Sequence, residues 1–156
     1  MILSTVGRSL RGTAADMLET KGTVVHTIGP KDTVYDAIAK MSEKRVGALL
    51  VMQADDLVGI VSERDYTRKV ILVGRLSKDT LVEEIMTRQV LTVEPETTLT
   101  ECLRLVTESS VRHLPVMRAG RLVGVLSIGD LVRAVLEQQA ETIQSLSSFI
   151  GSDYPT

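Results

Sequence analysis

The sequence predicts a mixed α/β (α+β) fold built from two β-α-β-β-α repeats related by pseudo-twofold symmetry. Residues 25–65 align with residues 90–130 without a gap, and 15 of the 41 paired residues are identical. Each copy alternates apolar runs rich in Val, Leu and Ile with stretches of helical periodicity. At 156 residues the chain is long enough for one compact domain with a core, or for two small halves that share one core.

Each copy opens on a short extended piece followed by a helix. The extended pieces are VVHTIGP and VLTVEP, and each ends at a proline. TVYDAIAKM and TLTECLRLV follow, with apolar residues on one helical face. Thr33 with Asp36, and Thr98 with Glu101, have the spacing of a capping box, which predicts where these helices begin.

Two apolar strands and a second helix complete each copy. The strands are ALLVM and LVGIVS in the first copy, and LPVM and LVGVLS in the second. The polar turns QADD and RAGR separate them. The second helix is predicted to begin near Glu63 in one copy and near Ile128 in the other, where it runs long, through LVRAVLEQQAETIQSLSSFI. Leu50 stands where the second copy has Pro115, so the sequence does not establish this bend in the first copy.

These elements predict one module over residues 1–156. Residues 13–73 form the first repeat, residues 80–137 the second, and residues 138–156 a C-terminal helix extension and tail. The segments ADML and EEIM are read as equivalent lead-ins to the two repeats. Because each half alone buries little surface, the two repeats are expected to pack on each other.

Composition excludes several classes of function. The net charge is −2, and the four aromatic residues are Tyr35, Tyr66, Phe149 and Tyr154, so neither the basic excess nor the stacking surface of a nucleic-acid binder is present. Cys102 is the single cysteine, which excludes an intrachain disulfide and a thiolate zinc cluster. His26 and His113 alone do not suggest a metal site.

The location is predicted to be the cytoplasm. The first residues, MILSTVGRSLRG, lack an apolar core of signal-peptide length. Nowhere do about eighteen apolar residues follow one another, as a membrane-spanning helix requires. We therefore expect a protein without membrane contact.

The chemistry is concentrated in the repeated stretch GIVSERD, residues 59–65, which returns as GVLSIGD, residues 124–130. A carboxylate such as that of Asp65 or Asp130 can accept hydrogen bonds from both hydroxyls of a ribose. Ser62 and Ser127 would stand at a helix start, where unpaired N–H groups attract phosphate. The spacing Ser-x-x-Asp is equally that of a capping box, in which the acid bonds the N–H of its own serine.

The duplicated unit, closing each time on G-apolar-apolar-S-x-x-D, resembles a tandem pair of cystathionine-β-synthase (CBS) domains, often called a Bateman module. The resemblance spans about residues 13–137 and includes both lead-ins, both first helices and the strands VGALLV and VRHLPV. It implies a regulator that binds adenosine-containing ligands such as AMP, ATP, NAD or S-adenosylmethionine in clefts between the repeats. Within such a frame, the duplicated motif favours ligand contact over capping alone.

The resemblance also implies which residues form the two clefts. The first site would combine Ile60, Ser62, Arg64, Asp65, Thr87, Val90, Val111, Arg112 and His113. The second site would combine Val125, Ser127, Asp130, Gly22, Thr23, Val25, Val46, Gly47 and Ala48.

The two predicted sites differ in charge. Cations gather at the first site, namely Arg64, Arg112 and His113, with Arg68 and Lys69 one turn further along. The second site has Ile128, Gly129, Gly47 and Ala48 in the equivalent places, with Lys21 and Arg133 as its candidate cations. The hypothesis is that the first site binds anionic nucleotides more tightly. The alternative is that Arg64, Arg68 and Lys69 form the solvated face of a helix.

Three classes of function remain open. The leading prediction is a non-catalytic sensor whose effector is AMP, ADP, ATP or NAD, with no metal, acting through a homodimer on another protein. The second is a structural or docking module with vacant clefts. An enzyme is disfavoured, because Gly-x-Ser-x-Gly, the Walker loop and HExxH are all missing from the sequence. The clustered cations disfavour S-adenosylmethionine, which is itself a cation.

Overall fold

The computed structural model describes the backbone of residues 10–151 and the side chains of residues 10–141. In chain order the elements are α1 (Ala14–Lys21), β1 (Thr27–Ile28), α2 (Val34–Lys44), β2 (Ala48–Gln53), β3 (Asp56–Ser62), α3 (Glu63–Tyr66), α4 (Val82–Ile85), α5 (Leu99–Ser109), β4 (His113–Arg118), β5 (Arg121–Ser127) and α6 (Ile128–Gly151). A π-helical turn, Thr67–Ile71, continues α3, and a 3-10 turn, Ser77–Asp79, precedes α4. The mixed α/β class predicted from the sequence is confirmed.

The chain divides into two compact units. Within the described residues, unit one holds 10–23, Val93–Val116 and 124–151, and unit two holds Val24–Thr92 and Met117–Val123. The core of unit two consists of Val34, Ala37, Met41, Leu49, Val51, Val61, Val70, Val82, Ile85 and Met86. The buried residues of unit one include Ala14, Leu18, Leu99, Cys102, Val106, Leu114, Leu126 and Leu131. Each unit therefore has its own apolar interior.

Unit two contains a three-stranded sheet in the order β1-β2-β3. Strand β1 runs parallel to β2, with Thr27 opposite Leu50, and β2 runs antiparallel to β3 down to the pair Gln53 and Asp56. The predicted turn QADD is the tip of this hairpin. Ala54 has a φ of 55°, a left-handed conformation that costs energy for a residue with a side chain.

The second copy forms a two-stranded sheet from β4 and β5, and its extended piece VLTVEP contributes one bridge, Val93 with Val116, instead of a strand. The reason lies in one residue. In the first copy the N–H of Leu50 donates to the carbonyl of His26 at 3.2 Å. Pro115 occupies the equivalent place and has no N–H, so it only accepts, from Val93 at 3.0 Å. The difference between the two copies is thus one lost ladder bond.

The first helix of each copy begins where the threonines predicted. Thr33 Oγ1 accepts from the N–H of Asp36 at 3.1 Å, and Thr98 Oγ1 accepts from the N–H of Glu101 at 3.1 Å. In neither of these described helices does the acidic residue return a bond to the threonine N–H, and Glu101 binds Arg104 instead. The predicted capping boxes are therefore half formed.

The long second helix predicted for the second copy is confirmed as α6, Ile128–Gly151. Its first turns bury Leu131 and expose Val132 and Leu136. The predicted tail beyond residue 151 lies outside the described residues, as do residues 1–9 of the predicted module. Searched over the described residues, the helices include none with the length and apolar content needed to cross a bilayer.

Candidate functional site

The first candidate corner is the junction of β3 and α3, from Ser62 to Asp65. Asp65 Oδ2 accepts from the N–H of Ser62 at 2.9 Å and from its hydroxyl at 3.1 Å. Ser62 Oγ in turn accepts from the N–H of Asp65 at 3.2 Å. The corner is therefore a complete capping box, which is one of the two interpretations that the spacing allowed.

Lys69 places a positive charge on this corner. Its Nζ lies 3.1 Å from Asp65 Oδ1 and donates to the carbonyl of Ile85 at 2.7 Å. Lys69 belongs to the π-helical turn, in which the N–H of Leu72 reaches back five residues to the carbonyl of Thr67 at 3.0 Å. Both carboxylate oxygens of Asp65 thus have partners, Ser62 on one and Lys69 on the other.

The strand leading into the first corner is held by the segment that precedes the second repeat. Ile60 and Thr87 exchange two backbone hydrogen bonds, of 3.0 and 2.9 Å. Gly59 is required for this approach, since a Cβ there would lie 2.9 Å from the carbonyl oxygen of Thr87. The structure therefore brings together Ile60, Ser62, Asp65 and Thr87, four residues predicted for one site.

The second corner, from Ser127 to Asp130, repeats this geometry at the start of α6. Asp130 Oδ2 accepts from the N–H of Ser127 at 2.7 Å and from its hydroxyl at 3.0 Å. The cation here comes from α1: Lys21 Nζ donates to Asp130 Oδ2 and to the carbonyl of Val125, both at 2.6 Å. Arg133 Nη2 lies 3.8 Å from the other oxygen, Oδ1.

The charges around the second corner shift two pKa values. Burial raises the pKa of Asp130, but the hydrogen bonds from Lys21 and Ser127 outweigh it, and the pKa lies below its ordinary value of 3.8. The pKa of His113 lies below 6.5 because of its burial first, and then because of the positive charge of Lys21, which exceeds the opposing effect of Asp130. At neutral pH Asp130 is ionised and His113 is neutral.

An open groove of about 720 Å³ adjoins this corner within unit one. Its walls are α1 with the residues before it and the exposed flank of α6, and its lining is Arg11, Gly12, Asp16, Met17, Thr20, Lys21, Asp130, Arg133, Ala134, Glu137, Gln138 and Glu141. Arg11 closes the far end, where it binds Glu141 at 2.8 Å. The groove has the volume of a small-molecule site.

Two backbone hydrogen bonds connect further predicted site residues with the corner of their own copy. The carbonyl of Gly47 accepts from the N–H of Glu63 at 3.1 Å, and the carbonyl of Arg112 accepts from the N–H of Ile128 at 2.9 Å. Val46 and Ala48 flank the first of these contacts, and Val111 and His113 flank the second. Arg64, Val90, Gly22, Thr23 and Val25 are partly or fully exposed. The sequence predicted Arg112 and His113 at the site of Asp65, and Gly47 and Ala48 at the site of Asp130. These two combinations stay predictions.

Sequence reasoning named Lys21, Lys69 and Arg133 as cations near the two corners, but it did not pair them with the aspartates, and it missed the groove. Lys21 was only a candidate cation, because nothing in the alignment of the copies connects α1 with a residue 109 positions away. The polar stripe of α6 was a usable signal: Asp130, Ala134, Glu137, Gln138 and Glu141 share one helical face, which is the groove wall. Among the residues with described side chains, no three His, Cys, Asp or Glu are placed to hold a metal ion.

Comparison with known proteins shows what this architecture is similar to. The CBS domain family model matches residues 20–71 and 82–137. The mitochondrial CBS domain-containing protein CBSX3 of Arabidopsis thaliana is 44% identical over 128 residues, which are 79% of this chain and 62% of that protein. This chain thus spans less than two thirds of that relative.

Solved structures agree. A protein with CBS domains from Burkholderia ambifaria MC40-6 is 51% identical, with a TM-score of 0.79 over 82% of this chain and 96% of that one. The structure of CBSX2 in complex with AMP is 33% identical, with a TM-score of 0.67 over 83% of this chain and 99% of that one.

Proposed function

This chain belongs to the CBS domain family, and we propose that it is a non-catalytic sensor that binds adenine nucleotides at its two Ser-Asp corners. The observation that carries the proposal is the duplicated carboxylate. Asp65 and Asp130 each stand where a strand hands over to a helix, each fixed by its own serine and paired with a lysine. The complex of the related CBSX2 with AMP supports this choice of ligand class.

The ribose diol is the group that fits these carboxylates. Two vicinal hydroxyls donate two hydrogen bonds, and an ionised carboxylate accepts them as short, charge-assisted bonds. The side chains of Asp65 and Asp130 are 15% and 10% exposed, so each keeps a small accessible surface. The low pKa of Asp130 keeps it an acceptor at neutral pH.

Capping and ligand binding can share one residue. In the structure each aspartate bonds the N–H of its own serine, as a cap does. A carboxylate has about four lone-pair sites, so the cap bond leaves acceptor capacity for a diol once the lysine moves away. In the alternative function, a docking module with vacant clefts, the two aspartates would serve only as helix caps.

Regulation would pass through another protein. Without a catalytic motif in the sequence, the output we propose is a change of conformation on nucleotide binding that a partner detects. Since this chain spans 62% of its Arabidopsis relative, the activity of that whole protein is not transferred here. A cytoplasmic location also belongs to this proposal, and the mitochondrial location is part of the relative's name alone.

A second copy of this chain is the nearest partner that we propose. Val132 and Leu136 on α6 are 46% and 60% exposed. In unit two, Leu72, Val73 and Leu76 are 72%, 60% and 67% exposed. Apolar side chains this exposed are typical of surfaces that become buried in an assembly. Sedimentation equilibrium should give a dimer, and a monomer at all concentrations would contradict this part of the proposal.

A thermal-shift panel tests the choice of ligand. AMP, ADP, ATP and NAD are expected to raise the midpoint of unfolding in proportion to their binding, because a ligand of the folded state stabilises it by mass action. S-adenosylmethionine is expected to have a smaller effect than the nucleotides. A flat response to all five compounds would favour the docking module.

A further inference from the structure

We infer that Lys21 makes the corner at Asp130 selective for phosphorylated adenosine over adenosine itself. The inference rests on the proposed function, since it concerns how the same corner distinguishes its ligands. Its basis is that the carboxylate is already occupied by a cation of the protein. Lys21 Nζ lies 2.6 Å from Asp130 Oδ2, which also accepts the N–H and the hydroxyl of Ser127.

Three donors on one oxygen exceed its two lone pairs. A diol that binds both carboxylate oxygens must therefore displace a donor from Oδ2. Both donors of Ser127 are part of the helix cap: its N–H belongs to the backbone, and its Oγ is held by the N–H of Asp130 at 3.2 Å. Lys21 instead has a flexible four-carbon stem and a side chain that is 31% exposed. Lys21 is the donor that yields.

The charge of the ligand then determines whether displacing Lys21 weakens binding. Adenosine is neutral, so it removes the ion pair of Lys21 and leaves the ammonium with only the carbonyl of Val125 and water. A phosphorylated nucleotide supplies a new anion, and the ammonium exchanges one charge-assisted contact for another. The displaced ion pair thus penalises the nucleoside and not the nucleotide.

The groove beside Asp130 has room for a phosphate next to the displaced ammonium. Lys21 and Arg133 both line the groove of about 720 Å³ beside Asp130. Arg133 is 69% exposed at its side chain and lies 3.8 Å from Asp130, close enough to share a phosphate with Lys21. The groove also carries Asp16 and Glu137, which disfavour an anion elsewhere along its length and keep the phosphate near these two cations.

In the other repeat a lysine also pairs with the aspartate, but it comes from a different element. Leu18 and Met86 occupy equivalent places beside Gly124 and Gly59, so Lys21 corresponds to Gln89 in the lead-in of the second repeat. Lys69 corresponds to Ala134, with the 65-residue offset of the duplication. Each aspartate therefore has one lysine, but the lysine comes from α1 in one case and from the π-helical turn in the other. Such a compensating exchange indicates that the cation at the carboxylate is needed and is not a remnant of the duplicated unit.

The test compares two ligands in two proteins. In an Asp65→Ala background, which leaves the second corner intact, AMP and adenosine are titrated calorimetrically with and without Lys21→Met, which removes the charge and keeps an unbranched side chain. With Lys21, AMP should bind about 30-fold more tightly than adenosine, and in the variant this ratio should fall at least about tenfold, with weaker AMP and unchanged or tighter adenosine.

Controls separate selectivity from folding. Lys31→Met removes a lysine that pairs with Glu83 at the surface and should leave the ratio unchanged. Lys21→Met with Ala134→Lys supplies the cation from α6, as Lys69 does in the first repeat, and should restore the preference for AMP. If Lys21→Met weakens both ligands equally, Lys21 only supports the fold and the inference is wrong. If neither ligand binds the Asp65→Ala parent, the proposed nucleotide site at Asp130 fails as well.

Discussion

At the scale of single residues, the glycine, the serine and the aspartate of the motif have the same roles in both copies, GIVSERD and GVLSIGD. The glycine admits a neighbouring segment: a Cβ at position 59 would lie 2.6 Å from Met86 Sδ, and one at position 124 would lie 2.8 Å from a methyl group of Leu18. The serine and the aspartate then close the helix start. Each motif is thus both a packing device and a carboxylate held in one orientation.

The two glycines should respond differently to alanine. Gly59→Ala forces the new methyl group against the backbone carbonyl of Thr87, at 2.9 Å, so we expect a loss of about 2 kcal/mol in the free energy of unfolding. Gly124→Ala meets only the flexible end of Leu18 and should cost about 1 kcal/mol. Urea unfolding of both variants measures this difference. A larger loss for Gly124→Ala would contradict the contact assigned to Gly59.

The low pKa of Asp130 gives a dependence of stability on pH. Because the pKa in the folded state lies below 3.8, the ionised form stabilises the fold above that pH, and the contribution is lost as the pH falls through the folded-state pKa. Asp130→Asn should lower the free energy of unfolding by about 1 kcal/mol at pH 7, and the difference from wild type should shrink at pH 3. Urea unfolding at the two pH values measures it; a difference that is the same at both would contradict the shift.

At the scale of elements, local patterns predicted most of what formed. The threonines marked the starts of α2 and α5, and apolar runs marked four of the five strands. The features that the sequence did not predict depend on contacts between residues that are far apart in the chain. The second extended piece forms one bridge because Pro115 removes an N–H, and the π-helical turn that carries Lys69 had no signal in residue spacing. The ion pair of Lys21 with Asp130 joins residues 109 apart and could only be a candidate.

The tip of the first hairpin stores strain that one substitution should release. Ala54 has a φ of 55°, and Ala119, at the equivalent position of the second hairpin, has a φ of 51°. Ala54→Gly should stabilise the protein by about 0.5 kcal/mol, because relief of the left-handed strain exceeds the added freedom of the unfolded chain. Ala39→Gly on the exposed face of α2 is the control, with an expected loss of about 1 kcal/mol. If Ala54→Gly and Ala39→Gly lowered the midpoint of thermal unfolding equally, the strain assigned to Ala54 would be wrong.

At the scale of the whole molecule, duplication supplies two Ser-Asp corners with different surroundings, and we propose that both bind nucleotides. The sequence gathers Arg64, Arg112 and His113 for the first site, and the structure adds one lysine to each aspartate. Because His113 is neutral at neutral pH, the predicted excess of cations at the first site rests on Arg64 and Arg112, and it remains the basis of the expected asymmetry. A sensor with unequal sites would respond in two steps as the nucleotide concentration rises.

Single substitutions test that asymmetry. Asp65→Ala should weaken the tightest calorimetric binding of AMP by about 30-fold, and Asp130→Ala should leave that step nearly unchanged while removing the weaker one. Glu84→Ala is the matched control, because Glu84 also accepts the N–H of the residue before its helix, Leu81, at 2.7 Å. Equal losses for the two aspartate variants would contradict the asymmetry.

Titration of AMP into the variant Asp65→Ala/Asp130→Ala, compared with wild type, tests whether the two carboxylates bind the nucleotide. We expect wild type to bind AMP and the double variant, still folded by circular dichroism, to give no binding heat. Binding of AMP to the double variant with the affinity of wild type would show that the two carboxylates serve only as helix caps.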